Sequence, residues 1–237
     1  MIPKLKIIPL GGLGEIGKNM TVYEYGSDII IVDCGMGFPE ETAYGIDMVL
    51  PDVTYLKSNA DKIRGLIVTH GHEDHIGAIP YILKDLNIPI YTLPLTAALI
   101  ELKLEEHDLL YNTQIFTKKA GSQFRLGAFN IELINVNHSI PDAVALAIKT
   151  PIGTVIQTGD FKIDITPISG KMIDLVRFGE LGNEGVLALL SDSTNVEHPG
   201  YSVSESKVGE GFDRYFQGCK SRIIITTFAS NVHRLQQ

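Results

Sequence analysis

Residues 70–75 read His70-Gly71-His72-Glu73-Asp74-His75, directly after the β-rich run 65–69. No other stretch constrains the fold as strongly. Four side chains able to ligate a cation stand within six residues, and neither a strand nor a helix interior can turn all of them to one point. A loop at the end of a strand can, so the segment calls for a sheet with an edge that other loops also reach. Imidazole nitrogens with a carboxylate oxygen suit zinc, manganese or iron. His70 and His72 can bind one ion, while Asp74 and His75 reach a neighbouring position. The competing reading is a chance histidine-rich surface loop. It suits a single histidine better than four ligand-type residues so close together.

The rest of the chain has room for such a sheet. It has 237 residues, 44% hydrophobic and 20% charged, enough for one large domain or two small ones. No apolar run approaches the ~18 residues of a membrane span. The first ten residues lack a signal-peptide pattern. Cys34 and Cys219 are too few for a disulfide framework, so reduced thiols and a cytoplasmic location are expected. The net charge of −8 argues against a simple basic nucleic-acid-binding module. It leaves room for a nuclease, because metal ions can supply local positive charge.

Periodicity predicts strands at 5–10, 20–25, 29–32, 65–69 and 88–91, a helix over 76–86, and an amphipathic helix over 95–107 carrying Leu95, Leu99 and Leu102. Further strands are expected at 123–126, 129–136, 143–149 and 154–157. A helix over 171–180, a buried strand at 186–190, a linker over 195–204, a helix from Ser204 to Phe216, a strand at 222–226 and a helix starting at Ser230 complete the chain. His138 falls in the loop after one strand and Asp160 just after another, where loops from a sheet edge converge. Asp33 closes the strand 29–32; alone it would be an ordinary turn carboxylate. His107 and His198 read as surface residues. Gly12-Leu13-Gly14-Glu15-Ile16-Gly17 fits G-x-G-x-x-G, but β-branched and aromatic residues come next where a dinucleotide site needs a helix, so a glycine-rich turn is expected.

The HxHxDH cluster with a later His and a later Asp resembles the ligand set of the metallo-β-lactamase superfamily. That resemblance implies an α/β fold, the αββα sandwich. It also implies that His70, His72 and His138 hold one metal, Asp74 and His75 the other, that Asp160 bridges them, and that Asp33 orients the histidine loop. Residues 11–19, 32–35, 69–77, 137–142, 159–162 and 191–195 look, in order, like segments of the ribonuclease J family. Residues 226–231 resemble the start of its inserted β-CASP domain. Asp192 matches the first β-CASP motif, an acidic residue beside the site. The resemblance therefore implies a metallo-β-lactamase core over 1–200 and the beginning of a β-CASP domain over 201–237.

The same resemblance implies a metal-dependent ribonuclease acting in RNA maturation and decay, 5′-to-3′ exonucleolytic and endonucleolytic in the full-length protein. Two divalent ions are implied, Zn2+ first and Mn2+ second, with Asp74 as both ligand and base. Ser230, Asn231, His233 and Arg234 become RNA contacts. A homo-oligomer (dimer or tetramer), an RNA-degradation complex and no membrane association are the implied partners. Two histidine-centred β-CASP motifs of the family have no match before Gln237. The chain is thus expected to be a piece of a longer protein, with weak second-metal occupancy and little activity of its own. The alternatives are a hydrolase of thioesters, lactones or β-lactams on the same ligands, and a non-catalytic RNA-binding or assembly module. A redox di-iron member is disfavoured because His72 is intact.

Overall fold

The computed structural model describes residues 3–40, 42–168, 170–231 and 235. β1 (Leu5–Gly11), β2 (Met20–Tyr25) and β3 (Asp28–Val32) form an antiparallel meander. α1 (Thr54–Lys57) and a 3-10 turn lead to β4 (Ile63–Ile67), parallel to β3. α2 (Glu73–Ile76), α3 (Ile79–Leu83), β5 (Ile90–Thr92), α4 (Pro94–Glu106) and β6 (Ile115–Thr117) complete a sheet ordered β1-β2-β3-β4-β5-β6. The second sheet contains β7 (Gln123–Leu126), β8 (Phe129–Asn135), β9 (Val144–Thr150) and β10 (Gly153–Gln157), all antiparallel. α5 (Leu175–Glu184) precedes β11 (Ala188–Leu190), which pairs parallel with β10, and α6 (Ser206–Phe216) comes after it.

Alternate residues of one strand enter different cores, as the two-residue period of a strand demands. Ile29 and Ile31 of β3 join Met20, Val22, Ile79 and Ile100 on the helical side of the first sheet. Ile30 and Val32 join Tyr23, Phe129, Ile131, Leu146 and Ile148 between the sheets. Beyond the second sheet, Ala145, Ala147 and Ile156 pack with Leu181 of α5. Each fully buried isoleucine contributes about 1.5–3 kcal/mol, so strands buried on both faces anchor the molecule. The layers run helix, sheet, sheet, helix: the expected αββα sandwich. Among the described residues no helix is long and apolar enough to cross a membrane.

Several local expectations are corrected. The helix over 76–86 is two short ones, because the Ala78 N–H turns aside to the Cys34 carbonyl (3.0 Å). The first of these starts at Glu73, so Asp74 and His75 stand on a helical turn rather than in a loop. α4 buries Thr96, Ala97, Ile100 and Leu104, while Leu102 of the expected stripe is exposed. The small Thr96 and Ala97 let the helix approach its neighbours closely. α5 begins at Leu175 because Asp174 caps it, accepting from the Arg177 N–H at 3.0 Å. Residues 171–173 are held outside that helix by the amides of Asn135 and Asn137.

β11 is a short edge strand with Leu189 exposed, not a buried one. Residues 222–226 form no strand; Ile223, Ile224 and Ile225 are exposed, and β propensity without a neighbouring strand does not make a ladder. The glycine-rich turn leads straight into β2, so no helix N-terminus is available for a dinucleotide.

Candidate metal centre

The sheet edges bring the ligand-type residues together. β3 ends at Val32, and the chain turns at Asp33, which is 1% exposed. Its N–H donates to the Ile67 carbonyl (2.9 Å) at the end of β4. Oδ1 accepts from the Thr69 N–H (2.8 Å), and Oδ2 accepts from the Thr69 hydroxyl (2.9 Å) and from His75 Nδ1 (2.9 Å). A carboxylate only accepts, so His75 carries a proton on Nδ1 and turns Nε2 outward. Because the Thr69 hydroxyl donates to Asp33, its oxygen accepts from His70 Nδ1 (3.1 Å), which aims His70 Nε2 the same way. One buried aspartate thus sets the ring orientation of two histidines. Gly35 permits the close approach this needs: a Cβ there would lie 1.5 Å from the Asp74 carbonyl oxygen.

His138 arrives from the loop after β8, and Asp160 from the turn after β10. His72 Nδ1 is 3.1 Å from both His70 Nε2 and His138 Nε2. Asp160 Oδ2 lies 3.6 Å from His138 Nε2 and 4.0 Å from His70 Nε2. The other oxygen, Oδ1, lies 3.3 Å from His75 Nε2, which is 3.5 Å from Asp74 Oδ2. Two groups therefore share Asp160: His70, His72, His138 with Asp160, and Asp74, His75 with Asp160. Tetrahedral ligands about 2.0–2.1 Å from a zinc ion stand about 3.3 Å apart, so the spacing fits a cation in each group.

The charges differ between the two groups. Burial holds the pKa of His70 well below that of a free histidine, lowers that of His72, and takes His138 down to about 4. All three are neutral at pH 7, with lone pairs ready. Burial also opposes charge on His75, but Asp33 and Asp160 overcome it and raise its pKa well above the ordinary value. Burial raises the Asp74 carboxyl, whereas His75 and the other histidines hold the Asp160 carboxyl low against burial.

An ion in the second group must therefore displace the His75 proton, and an ion in the first need not. Between pH 7 and 8, second-ion affinity is expected to rise by up to about tenfold while first-ion affinity stays nearly flat. Calorimetric titration at three pH values checks this. Parallel slopes for the two ions would contradict it.

Asp192 sits in the wall of a cavity of about 540 Å3 that reaches Asp74, His75 and Asp160 and is closed on the other side by the glycine-rich turn. Its carboxylate accepts from the Thr194 N–H (2.8 Å) and the Phe161 N–H (3.4 Å). Asn231 is not open to a polymer: it is 2% exposed and lies beside His72. Asn231 Oδ1 and His72 Nε2 are both buried without a hydrogen-bond partner among the described residues. Ser230 is half-buried in a turn, while His233 and Arg234 fall outside the described residues. His198 is exposed, as expected, whereas His107 is half-buried, edge-on to Tyr81. Sequence reasoning missed Thr69 and Asn19. Thr69 adjoins the histidine cluster in sequence, which is a usable signal, but nothing local marks Asn19.

Residues 13–165 match the family description "Metallo-beta-lactamase superfamily", and the chain belongs to that superfamily. Membership and the His/Asp cluster together indicate a centre for divalent metal ions. The curated relatives narrow the similarity further. The chain is 52% identical over 233 residues to "Ribonuclease J" of Synechocystis sp., covering 98% of this chain and 36% of that protein. It is 48% identical over 231 residues to "Ribonuclease J 1" of Streptococcus pyogenes, covering 98% and 41%. It is 44% identical over 241 residues to "Ribonuclease J" of Thermus thermophilus, covering 98% and 42%. The chain thus spans only 36–42% of the length of these relatives.

Among solved structures, a protein of unknown function from Enterococcus faecalis V583 superposes with a TM-score of 0.71 at 19% identity, over 98% of this chain and 62% of that one. Zn(2+)-bound PqqB from Methylobacterium extorquens gives 0.52 at 11% identity, over 83% and 76%. Both likenesses concern the fold.

Proposed function

We propose that this chain carries the dinuclear centre of a metal-dependent ribonuclease of the ribonuclease J type. The observation that carries the reading is the division of Asp160 between two ligand groups, Oδ2 toward the three histidines and Oδ1 toward His75. His70, His72 and His138 would hold one ion and Asp74 with His75 the other, with Asp160 available to both. Asp33 orients the cluster through His75 and Thr69. Zn2+ is the first choice of ion and Mn2+ the second, since the same donors suit both. Bound there, two cations supply a water of lowered pKa and neutralise charge growing on phosphoryl oxygens.

The protein's own groups do the rest. Asp74, in the second group and facing the cavity, accepts the proton that the attacking water gives up. Asp192 lines the cavity that reaches Asp74, His75 and Asp160, the space offered to a phosphodiester. Residues 1–200 serve as the metal-bearing core and 201–237 open the β-CASP unit. On this reading the full-length enzyme degrades RNA from the 5′ end and internally, in the cytoplasm, as a homo-oligomer able to join an RNA-degradation complex. Free cysteines, Cys34 buried and Cys219 exposed, are in keeping with that compartment.

The test offers the full-length protein, loaded with Zn2+ or Mn2+, a 5′-phosphorylated RNA alongside a thioester, a lactone and a β-lactam. RNA cleavage that a chelator abolishes is the expected result. Turnover of one of the others with the RNA left intact would sink the reading in favour of a different hydrolase.

A further inference from the structure

The glycine-rich turn over residues 11–17 is left without a role by the ligand set, although it forms one wall of the cavity beside the second group. It ends two residues before Asn19. The Asn19 backbone is pinned on both sides of the cluster: its N–H donates to the Asp74 carbonyl (3.0 Å), and its carbonyl accepts from the Gly35 N–H (3.0 Å). Its side-chain Nδ2 then lies 3.1 Å from the same Asp74 carbonyl, 3.2 Å from Asp74 Oδ2 and 3.1 Å from His75 Nε2. The carbonyl fixes which way the amide faces, because it can meet only a donor. The amide has two N–H groups, and while His75 keeps its proton only the two Asp74 oxygens can accept them. With an ion on the His75 lone pair, two N–H groups remain for two acceptors, both on Asp74.

Gly12 makes room for this arrangement. It stands at φ +84°, and a Cβ there would come within 2.5 Å of Asn19 Oδ1. The turn therefore presents a bare backbone against the face of the amide opposite Asp74. A larger residue there would crowd the Asn19 amide and would itself be strained at φ +84°.

We propose that Asn19 is a positioning residue for the second metal ion: it holds the Asp74 carboxylate in the rotamer that ligates, and Gly12 of the glycine-rich turn leaves room to seat it. This rests on the dinuclear reading and adds to it a residue outside the ligand set. Outer partners of metal ligands are worth about 10–100-fold in affinity. Asn19→Ala and Asn19→Leu are each expected to weaken the second ion by that factor and to leave the first within about threefold. The leucine variant keeps most of the side-chain volume and removes the donor, so it separates hydrogen bonding from packing.

The experiment is a calorimetric titration of the metal-free full-length protein with Mn2+, with the paramagnetic coupling between two bound ions as a second readout. Selective loss of the second, coupled ion in both variants supports the proposal. It is overturned if the leucine variant binds both ions like the unaltered protein, or if the two affinities fall together, since Asn19 would then be only packing or a support for the loop. An unaltered protein that binds just one ion, or none, marks instead a failure of the dinuclear reading, and this proposal goes with it.

Discussion

Asp160→Ala is expected to strip the protein of the second ion, to weaken the first, and to lower RNA cleavage by the full-length protein by about 10³-fold or more. The size comes from position. The two groups have no other residue in common, and Asp160 contributes one oxygen to each. Its loss leaves three histidines in one group and a single Asp–His pair in the other. It also removes a negative charge that offsets two cations. Ions in such a centre stabilise transition-state charge by several kcal/mol, and each 1.36 kcal/mol is about tenfold in rate. Metal content after dialysis, read by mass spectrometry beside the cleavage rate, checks this. Retention of two ions with a rate within tenfold of the original would show that Asp160 does not bridge.

Asp33→Ala is expected to cost stability first and metal second. The carboxylate is buried and accepts from the Thr69 N–H, the Thr69 hydroxyl and His75 Nδ1. Deleting it leaves all three without their acceptor in the interior, and breaking a buried charged pair from one side costs about 3–5 kcal/mol. For a chain of this length that is a fall in melting temperature of about 6–20 °C. Asp33 also sits at φ +60°, which aspartate and asparagine tolerate better than alanine.

Asp33→Asn therefore separates charge from backbone. It should melt higher than the alanine variant but still bind the second ion less tightly, because one amide oxygen cannot serve Thr69 and His75 together. Thermal melts of the two metal-free variants, followed by metal titration, give both numbers. Melting within about 2 °C of the original in both, with unchanged second-ion affinity, would mean that Asp33 orients nothing.

Much of this centre is legible in the residues alone. His70, His72, Asp74 and His75 lie in one short segment, so their chemistry reads as a unit. His138 and Asp160 stand out by coming directly after strands. Strands that bury both faces are equally plain: β3 carries three isoleucines and a valine in a row, and β2 mixes β-branched with aromatic residues. The misreadings share one cause. The stretch 222–226 has strand-forming residues but no neighbour to pair with. The helix over 76–86 breaks where the Cys34 carbonyl competes for an N–H. Local propensity sets what a segment can form, and its partners decide whether it does.

The HxHxDH cluster by itself determined that the chain binds cations at the end of a strand, because ligand chemistry depends on atom types held close in sequence. The family resemblance implied roles for Asp160 and Asp33, but only the tertiary structure decided how they act: Asp160 faces two groups at once, Asp33 aligns His75 directly and His70 through Thr69, and Asn19 reaches Asp74 across 55 residues of chain. Those are distances of about 3 Å between residues with no spacing rule to connect them, limits set by hydrogen-bond geometry. They come from where two sheets end and how closely bare glycine backbone lets the loops approach, which no local pattern of residues records.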